Sequence, residues 1–530
     1  MEIEYGEGGR FDFLKKDWFL ILLLLFIVLV IYFPSFGGRL FFDDEYFIVR
    51  NSYVHNFDLV RIFSSQAYAG AGQAGSFYRP LQFVCYSIIY QFLKINPIPY
   101  HLFSVLFHFG SAVLLFLLLR DFKISKLIAF FSSLLFVVHP INTQAVSYVS
   151  GLGEPLGLFF LLLAFLVYRK ENFFKNKFYA YSLFFLFIIL SLLSKERSVI
   201  FLFLFFIMEI SFPKEKKSFK DFIKNKKIFI SISILIILFY FFIIKSMTDS
   251  LSLGILSFGA DYSSNIFIRF LTFLHSFFEY FQLIFFPVGL YSERPFEIFT
   301  NFFNIKIICS LAILSILLFF SFYKSKYQKV LFFSFFWFII ALIPSSGIVP
   351  LYYTIKEHWI YYSMIGFCFG FTYSFFKIIK NKKIAITIFI LICLLLSVGT
   401  FSRNSQWANP KEFFQNELKH NPNSENAIAN LAYEYYLEND IDNAIELYKK
   451  GINITKSNQL AMMYYNLGYM YSLEGEINKS ILFYNKALEI DPNYLYALEE
   501  LSKYYYKQND TVNFNRFYSR FLMIQEGTGI

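Results

Sequence analysis

Residues 18–33 read WFLILLLLFIVLVIYF, and residues 41–51 read FFDDEYFIVRN. The first stretch has no charged or amide side chain and follows Lys15 and Lys16; no small-residue cleavage site comes after it, so it reads as an uncleaved membrane anchor. The second then sets Asp43, Asp44 and Glu45 within a few residues of the hydrocarbon boundary, where a desolvated acid is costly. An apolar anchor handing directly to a row of acids is the pattern from which the remaining chain is read.

The 530 residues are 57% hydrophobic and 16% charged, with 76 Phe and 39 Tyr, far more apolar surface than one soluble core buries. Further stretches able to cross about 30 Å of hydrocarbon lie at 101–119, 127–139, 155–168, 178–194, 198–212, 228–244, 304–322, 330–344, 358–376 and 384–401, making eleven expected spans. Basic clusters fall at Arg120/Lys123/Lys126, Arg169/Lys170/Lys175/Lys177, 214–227, Lys324/Lys326/Lys329 and Lys377/Lys380/Lys382/Lys383. The positive-inside rule puts these clusters and the N-terminus in the cytoplasm. Residues 265–286 are apolar enough to span, yet counting them would move the last two basic clusters outside. Arg269, His275 and Glu279 also interrupt them, so an interfacial or bundle-packed helix is expected. An odd number of spans puts the C-terminal region outside.

The formal charge of +10 is spread through loops between spans and does not indicate nucleic acid. Cys85, Cys309, Cys368 and Cys393 lack metal or redox spacing. No metal site and no cofactor are evident.

After Phe401 the chain turns polar. AMMYYNLGYMYSLEGEINKSILFYNKALEIDPNY, 461–494, has the length and pattern of one tetratricopeptide unit, with Leu467-Gly468, Tyr471, Ala487-Leu488 and Asp491-Pro492. Leu431-Ala432 begins a preceding copy, Leu501 with Tyr505 a following one, and Lys411 to Pro422 reads as a further half unit. The fold class is therefore all-α: a polytopic membrane helix bundle over 1–402, followed by a repeat solenoid over 403–530. Such a solenoid offers a face to polypeptide, or serves dimerisation or spacing.

Several loops hold polar groups with two readings each. Asp43 and Asp44 form a solvated flank or supply a general base; on an extended strand they point apart, so only one need be catalytic. Residues 81–96, LQFVCYSIIYQFLKIN, follow Tyr78-Arg79-Pro80 and read as an interfacial helix. In HPINTQAVSYVSGLGEPLG, 139–157, His139-Pro140 ends a span and Glu154-Pro155 starts one, bland roles that explain them as well as chemistry does. Lys195 in SKERS, 194–198, either captures a phosphate or snorkels and pairs with Glu196. Lys356, Glu357 and His358 sit beside the belt aromatics Trp359, Tyr361 and Tyr362.

Taken in order, FFDDEYFIVRN, the YRPL step, PIPYHLFSVLFHFGSAVLLFLLL, HPINTQAVSYVSG, LLSKERS, IPSSGIVPLYY to EHWIYY, and RNSQWANP running into repeats carry a resemblance across nearly the whole chain. The chain resembles the integral-membrane GT-C glycosyltransferases that bear tetratricopeptide repeats, the transmembrane O-mannosyltransferases and their prokaryotic relatives. The resemblance implies transfer of mannose or a similar hexose from a polyprenyl-phosphate carrier to a hydroxyl outside the cytoplasm, with inversion. It matches Asp43, with Asp44 its neighbour, to the catalytic acid position. Arg79, Lys195 and His358 are the first candidates for the donor phosphate, with His139, Glu154, Glu196 and Glu357 completing the donor-binding set. Relatives often carry an acid at the position of Gln144 and an arginine at that of Leu152, so the second loop departs from the pattern. The acceptor is expected to be Ser or Thr of protein presented by the repeats; a glycan or lipid acceptor, or a non-catalytic scaffold, are the competing readings. Richness in Asn, Lys, Ile and Phe suggests an AT-biased genome and a prokaryotic plasma membrane.

Overall fold

The computed structural model describes residues 12–528 apart from 74, 76, 215–218, 249–261, 263–264, 324–327, 352 and 456–458, so part of the 214–227 cluster, Lys324 and Lys326 lie outside the described residues. Described elements are all helical, without a strand. The chain divides into two compact units, Met1–Ala408 and Asn409–Ile530. The expected boundary at 402/403 falls inside the helix Lys382–Ala408, which continues unbroken past Phe401.

Among the described residues eight helices are long and apolar enough to cross a membrane, or nine with the bent pair Lys126–Val138 and Pro140–Val146, so the chain is a multi-pass membrane protein. The remaining two of the eleven expected spans are shorter helices, Phe201–Ser211 and Ser363–Ile378. The break in the pair is chemical: Pro140 cannot continue the helix, and the chain bends by 55°. The helix Ile266–Phe285 buries Leu271, Leu274, Phe277 and Tyr280 along its middle, while Ile266, Phe267 and Phe270 in its first turns are exposed. Pro80–Leu93 likewise buries Phe83, Tyr86 and Ile89 while Phe92 is exposed.

Interior packing in a bilayer depends on close approach and hydrogen bonding, since lipid is as apolar as the side chains. Helices Gln328–Leu342 and Ser363–Ile378 meet at Gly366, where a Cβ would stand 2.5 Å from the carbonyl oxygen of Ser334. The Trp337 indole donates to the Tyr362 carbonyl at 3.0 Å across the same interface. Gly153–Arg169 packs along Lys177–Ser194, and Pro97–Asp121 lies beside both Gly153–Arg169 and Lys126–Val138. At their ends these helices hold the polar turns: 38–51, 139–153, 194–200 and 353–362.

The second unit opens with Pro410–His420, followed by the hairpins Glu425–Leu437/Ile441–Ile454, Gln459–Leu473/Ile477–Ile490 and Leu495–Lys507/Thr511–Thr528. Each first helix ends in a left-handed residue, Asn439 (φ 63°), Gly475 (φ 78°) and Asn509 (φ 56°), the residue types that tolerate this conformation best. Asp440 and Asp510 then accept from the backbone N–H of Asn443 and Asn513. The small residues Ala432 and Gly468 bring each first helix against its second.

Candidate active site

The turn after the anchor is built on a strained residue. Phe42 takes φ 62°, which turns the backbone so that the two aspartates serve different ends. Asp44 is buried: one carboxylate oxygen accepts from the Ser150 backbone N–H at 2.8 Å and hydroxyl at 2.5 Å, the other from the Phe41 N–H at 3.3 Å. Burial pushes its carboxyl up to about 7 against these three donors. Asp44 therefore fastens the first loop to the second.

Asp43 is the less buried member of the pair. Its backbone N–H donates to the Tyr148 hydroxyl at 3.2 Å, and its carboxyl is raised by burial while the Tyr148 hydroxyl, Lys356 and Arg79 pull it down and Glu293 pushes it up. Tyr148 is held by stacking on Trp407, with ring centroids 5.3 Å apart.

Arg79 precedes the helix that begins at Pro80 and is buried, with its guanidinium over the Phe77 ring at 4.3 Å. It makes a two-pronged pair with Glu196 at 2.9 and 2.8 Å. Burial alone would raise Glu196, but Arg79 and Lys195 outweigh it and hold the carboxyl well below the usual range. Lys195 Nζ lies 3.1 Å from Glu154 and 3.8 Å from Glu196, and burial followed by the nearby Arg79 charge lowers its ammonium. Glu154 is fully buried in the first turn of its helix and also meets Arg197 at 3.4 Å. Arg197 in turn donates to the Trp359 carbonyl at 3.1 Å and covers the Trp359 ring. Gly157 leaves the space this cluster needs: a Cβ there would stand 2.3 Å from the Tyr362 hydroxyl and 3.1 Å from the Lys195 Cβ.

The third wall is the turn 353–362. Lys356 lies over the Tyr353 ring at 3.5 Å, and its backbone is clamped by the Tyr280 hydroxyl, which donates to the Lys356 carbonyl and accepts from its N–H. His358 is lowered well below its ordinary range, first by burial and then by Lys195, Arg197, Lys356 and Arg79, so four cations act on this ring. Lys356 and Arg79 act electrostatically on both Asp43 and His358, so the turns 43–44, 79, 194–197 and 356–358 lie within electrostatic reach of one another.

His139 and Glu357 are each held by partners of their own. Both ring nitrogens of His139 are occupied, Nε2–H donating to the Ile284 carbonyl at 2.8 Å and Nδ1 accepting from the Ile141 N–H at 3.3 Å; it ties the broken helix to the end of Ile266–Phe285. Glu357, fully buried, sits between Arg294 at 3.8 Å and Arg403 at 3.9 Å. Gln144 donates to the Ser292 hydroxyl and accepts from the His358 N–H, so a neutral amide at this position bridges two turns. Leu152 is fully buried in an apolar cluster. Arg197, Tyr148, Glu293, Arg294 and Arg403 were not singled out from sequence, although Arg197, Tyr148 and Arg403 lie inside the quoted stretches; Lys356 was named only beside the belt aromatics. Among the described residues no group of three or more His, Cys, Asp or Glu is arranged to hold a metal ion.

A protein O-mannosyl-transferase of Caenorhabditis elegans is 24% identical over 423 residues, 78% of this chain and 59% of the relative. The homologues are protein O-mannosyl-transferases. The protein O-mannosyl-transferase TMTC3 of Mus musculus is 29% identical over 170 residues, and that of Homo sapiens 30% over 156, covering 31% and 29% of this chain and 18% and 17% of theirs. The chain thus spans about three fifths of the worm relative's length and under a fifth of either mammalian one's. Tetratricopeptide repeat models match residues 461–494 and 426–458, so the second unit carries tetratricopeptide repeats.

Proposed function

We propose that the chain transfers mannose or a similar hexose from a polyprenyl-phosphate carrier to a Ser or Thr hydroxyl of a polypeptide, with inversion, on the extracytoplasmic face of a plasma membrane. The observation that carries this reading is the placement of the less buried Asp43 opposite cations shared with His358: Arg79 and Lys356 act on both, joined by Lys195 and Arg197. The printed activity of the relatives supports the same class of reaction.

In this mechanism the Asp43 carboxylate accepts the acceptor hydroxyl's proton as that oxygen bonds to the anomeric carbon. The bond from that carbon to the carrier's phosphate oxygen breaks, and the phosphate leaves with the electron pair. The elevation of Asp43 by burial makes it a stronger base than a solvated carboxylate. Lys195, Arg79, Arg197 and Lys356 meet the charge that grows on the departing phosphate; one such preorganised donor is worth on the order of 10²–10³ in rate. The acids Glu154 and Glu196 hold these cations in place before the donor arrives. Basic loops on the opposite ends of the spans support a cytoplasmic N-terminus with the site and the repeats outside.

The test is transfer from polyprenyl-phosphate-mannose to peptide by the purified full chain, run beside Asp43→Asn. Transfer abolished by the substitution supports the reading; transfer only to glycan or lipid moves the acceptor class; equal incorporation by both proteins removes Asp43 from the mechanism.

A further inference from the structure

Helix Lys382–Ala408 turns a polar stripe inward at its outer end. Thr400, Arg403, Asn404 and Trp407, spaced i, i+3, i+4 and i+7, are all buried, while Val398 and Phe401 off the stripe are exposed. Each buried member meets a different part of the chain. The Thr400 hydroxyl donates to the Val138 carbonyl at 2.6 Å, and Arg403 lies 3.9 Å from Glu357. The Asn404 amide works in both directions, donating to the Ile31 carbonyl at 2.7 Å and accepting from the Ser147 hydroxyl at 2.5 Å. Trp407 stacks on Tyr148 at 5.3 Å and meets the Phe41 ring at 6.1 Å.

The contacts of Asn404 and Trp407 bracket Asp43. Ile31 ends the anchor and Phe41 stands two residues before Asp43; Ser147 adjoins Tyr148, whose hydroxyl accepts from the Asp43 N–H at 3.2 Å. Asn404 therefore fixes the spacing between the segment that carries this carboxylate and the segment that carries its phenol. Trp407, between Phe41 and Tyr148, sets the plane of the phenol ring. Close approach is built in at Gly38, where a Cβ would stand 3.0 Å from the Ala408 Cα. The Thr400 bond, by contrast, leads only to the end of a helix.

We propose that Asn404 and Trp407 are positioning residues for the proton-accepting carboxylate, acting on Asp43 through Ser147 and Tyr148. The assignment rests on Asp43 being the base. The Tyr148 hydroxyl lowers the Asp43 carboxyl, as do Lys356 and Arg79, against Glu293. Asp44, Tyr68 and Tyr353 are further titratable groups that interact with it. None of these lies on Lys382–Ala408 and Trp407 is uncharged, so a substitution at 407 reaches the carboxylate by moving the phenol.

The experiment measures transfer against pH by the purified full chain in nanodiscs, with the melting of each variant. Trp407→Leu is expected to move the acid limb up by about one pH unit, the direction of Tyr148→Phe, and to lower kcat about tenfold with the donor KM held. Trp407→Phe keeps a stacking ring and is expected to restore most of the limb. Ser147→Ala removes a single hydroxyl and is expected to move the limb the same way by less. Trp407→Leu combined with Tyr148→Phe is expected to move it no further than Tyr148→Phe alone, because the hydroxyl through which Trp407 acts is already gone. Thr400→Val is expected to lower the melting temperature and leave the limb in place. With Asp43→Asn inactive, a limb unmoved in both Trp407→Leu and Ser147→Ala, additive shifts in the double variant, or an equal shift in Thr400→Val would each overturn the positioning role while keeping the base. Full transfer by Asp43→Asn would overturn the base and this role with it.

Discussion

The Arg79 guanidinium grips the Glu196 carboxylate through two N–H···O bonds across 117 residues of chain, joining the turn before helix Pro80–Leu93 to the turn after Lys177–Ser194. A planar fork matches a carboxylate in a way that a lysine cannot. Arg79→Lys is expected to raise the KM for the lipid-linked donor about tenfold while kcat changes less. Glu196→Gln strands a buried guanidinium and is expected to cost near the lower end of about 3–5 kcal/mol, because the glutamate keeps some solvent contact. Steady-state kinetics and denaturant titration in detergent check the two.

The adjacent aspartates are expected to fail differently. Asp43→Asn should lower transfer by about 10²–10⁴ with the melting temperature retained. Asp44→Asn should lower the melting temperature through the lost Ser150 and Phe41 contacts, and lower transfer only through that disorder. Paired kinetics and melting curves separate a base from a brace.

Asp44 also predicts a pH dependence. Its carboxyl lies at about 7 in the fold against 3.8 when solvated, so its contribution to stability is complete below about 3.8 and is lost as pH rises through 7. Wild type minus Asp44→Asn stability should therefore fall between about pH 4 and 7 and level off above, with the pH response of all other groups cancelling. A flat difference over that window contradicts the buried position.

Removing the Tyr148 hydroxyl withdraws a hydrogen bond that lowers Asp43. Tyr148→Phe is expected to raise the Asp43 carboxyl further, moving the acid limb of the transfer–pH profile to higher pH with the ring stacking on Trp407 retained. An unmoved limb would detach Tyr148 from the base.

Gly366→Ala drives a Cβ against the backbone of Ser334 and Phe338, which cannot rotate away, and should cost about 1–3 kcal/mol. Gly157→Ala meets the tip of Tyr362 and the Lys195 stem instead, so its larger effect should be on donor KM. Melting and kinetics on the two variants distinguish a packing contact from a site contact.

Helix type and the repeats were legible because both are periodic or compositional signals. The Asn439, Gly475 and Asn509 bends recur at close to the roughly 34-residue period of the tetratricopeptide pattern. Spans 198–212 and 358–376 were overextended because the polar turns Glu196–Ile200 and Glu357–Ile360 fold as tight 3₁₀ turns at the helix starts, which hydropathy cannot register. Asp43 and Lys195 were readable as charges out of place. The partition of Asp43 from Asp44 was not, since it depends on the Phe42 backbone and on Ser150, over a hundred residues away. Nor was the hydrogen bond of His139 to the Ile284 carbonyl, a contact that neither local segment encodes.

The Glu154, Lys195 and Arg197 cluster bears on biogenesis. Glu154 begins one span and Lys195 follows the end of the next, so the two meet only when Gly153–Arg169 and Lys177–Ser194 have entered as an antiparallel couple. A solitary segment would strand an acid in hydrocarbon at a cost of a few kcal/mol. The ion pair that orders the site is thereby also a latch between the two helices.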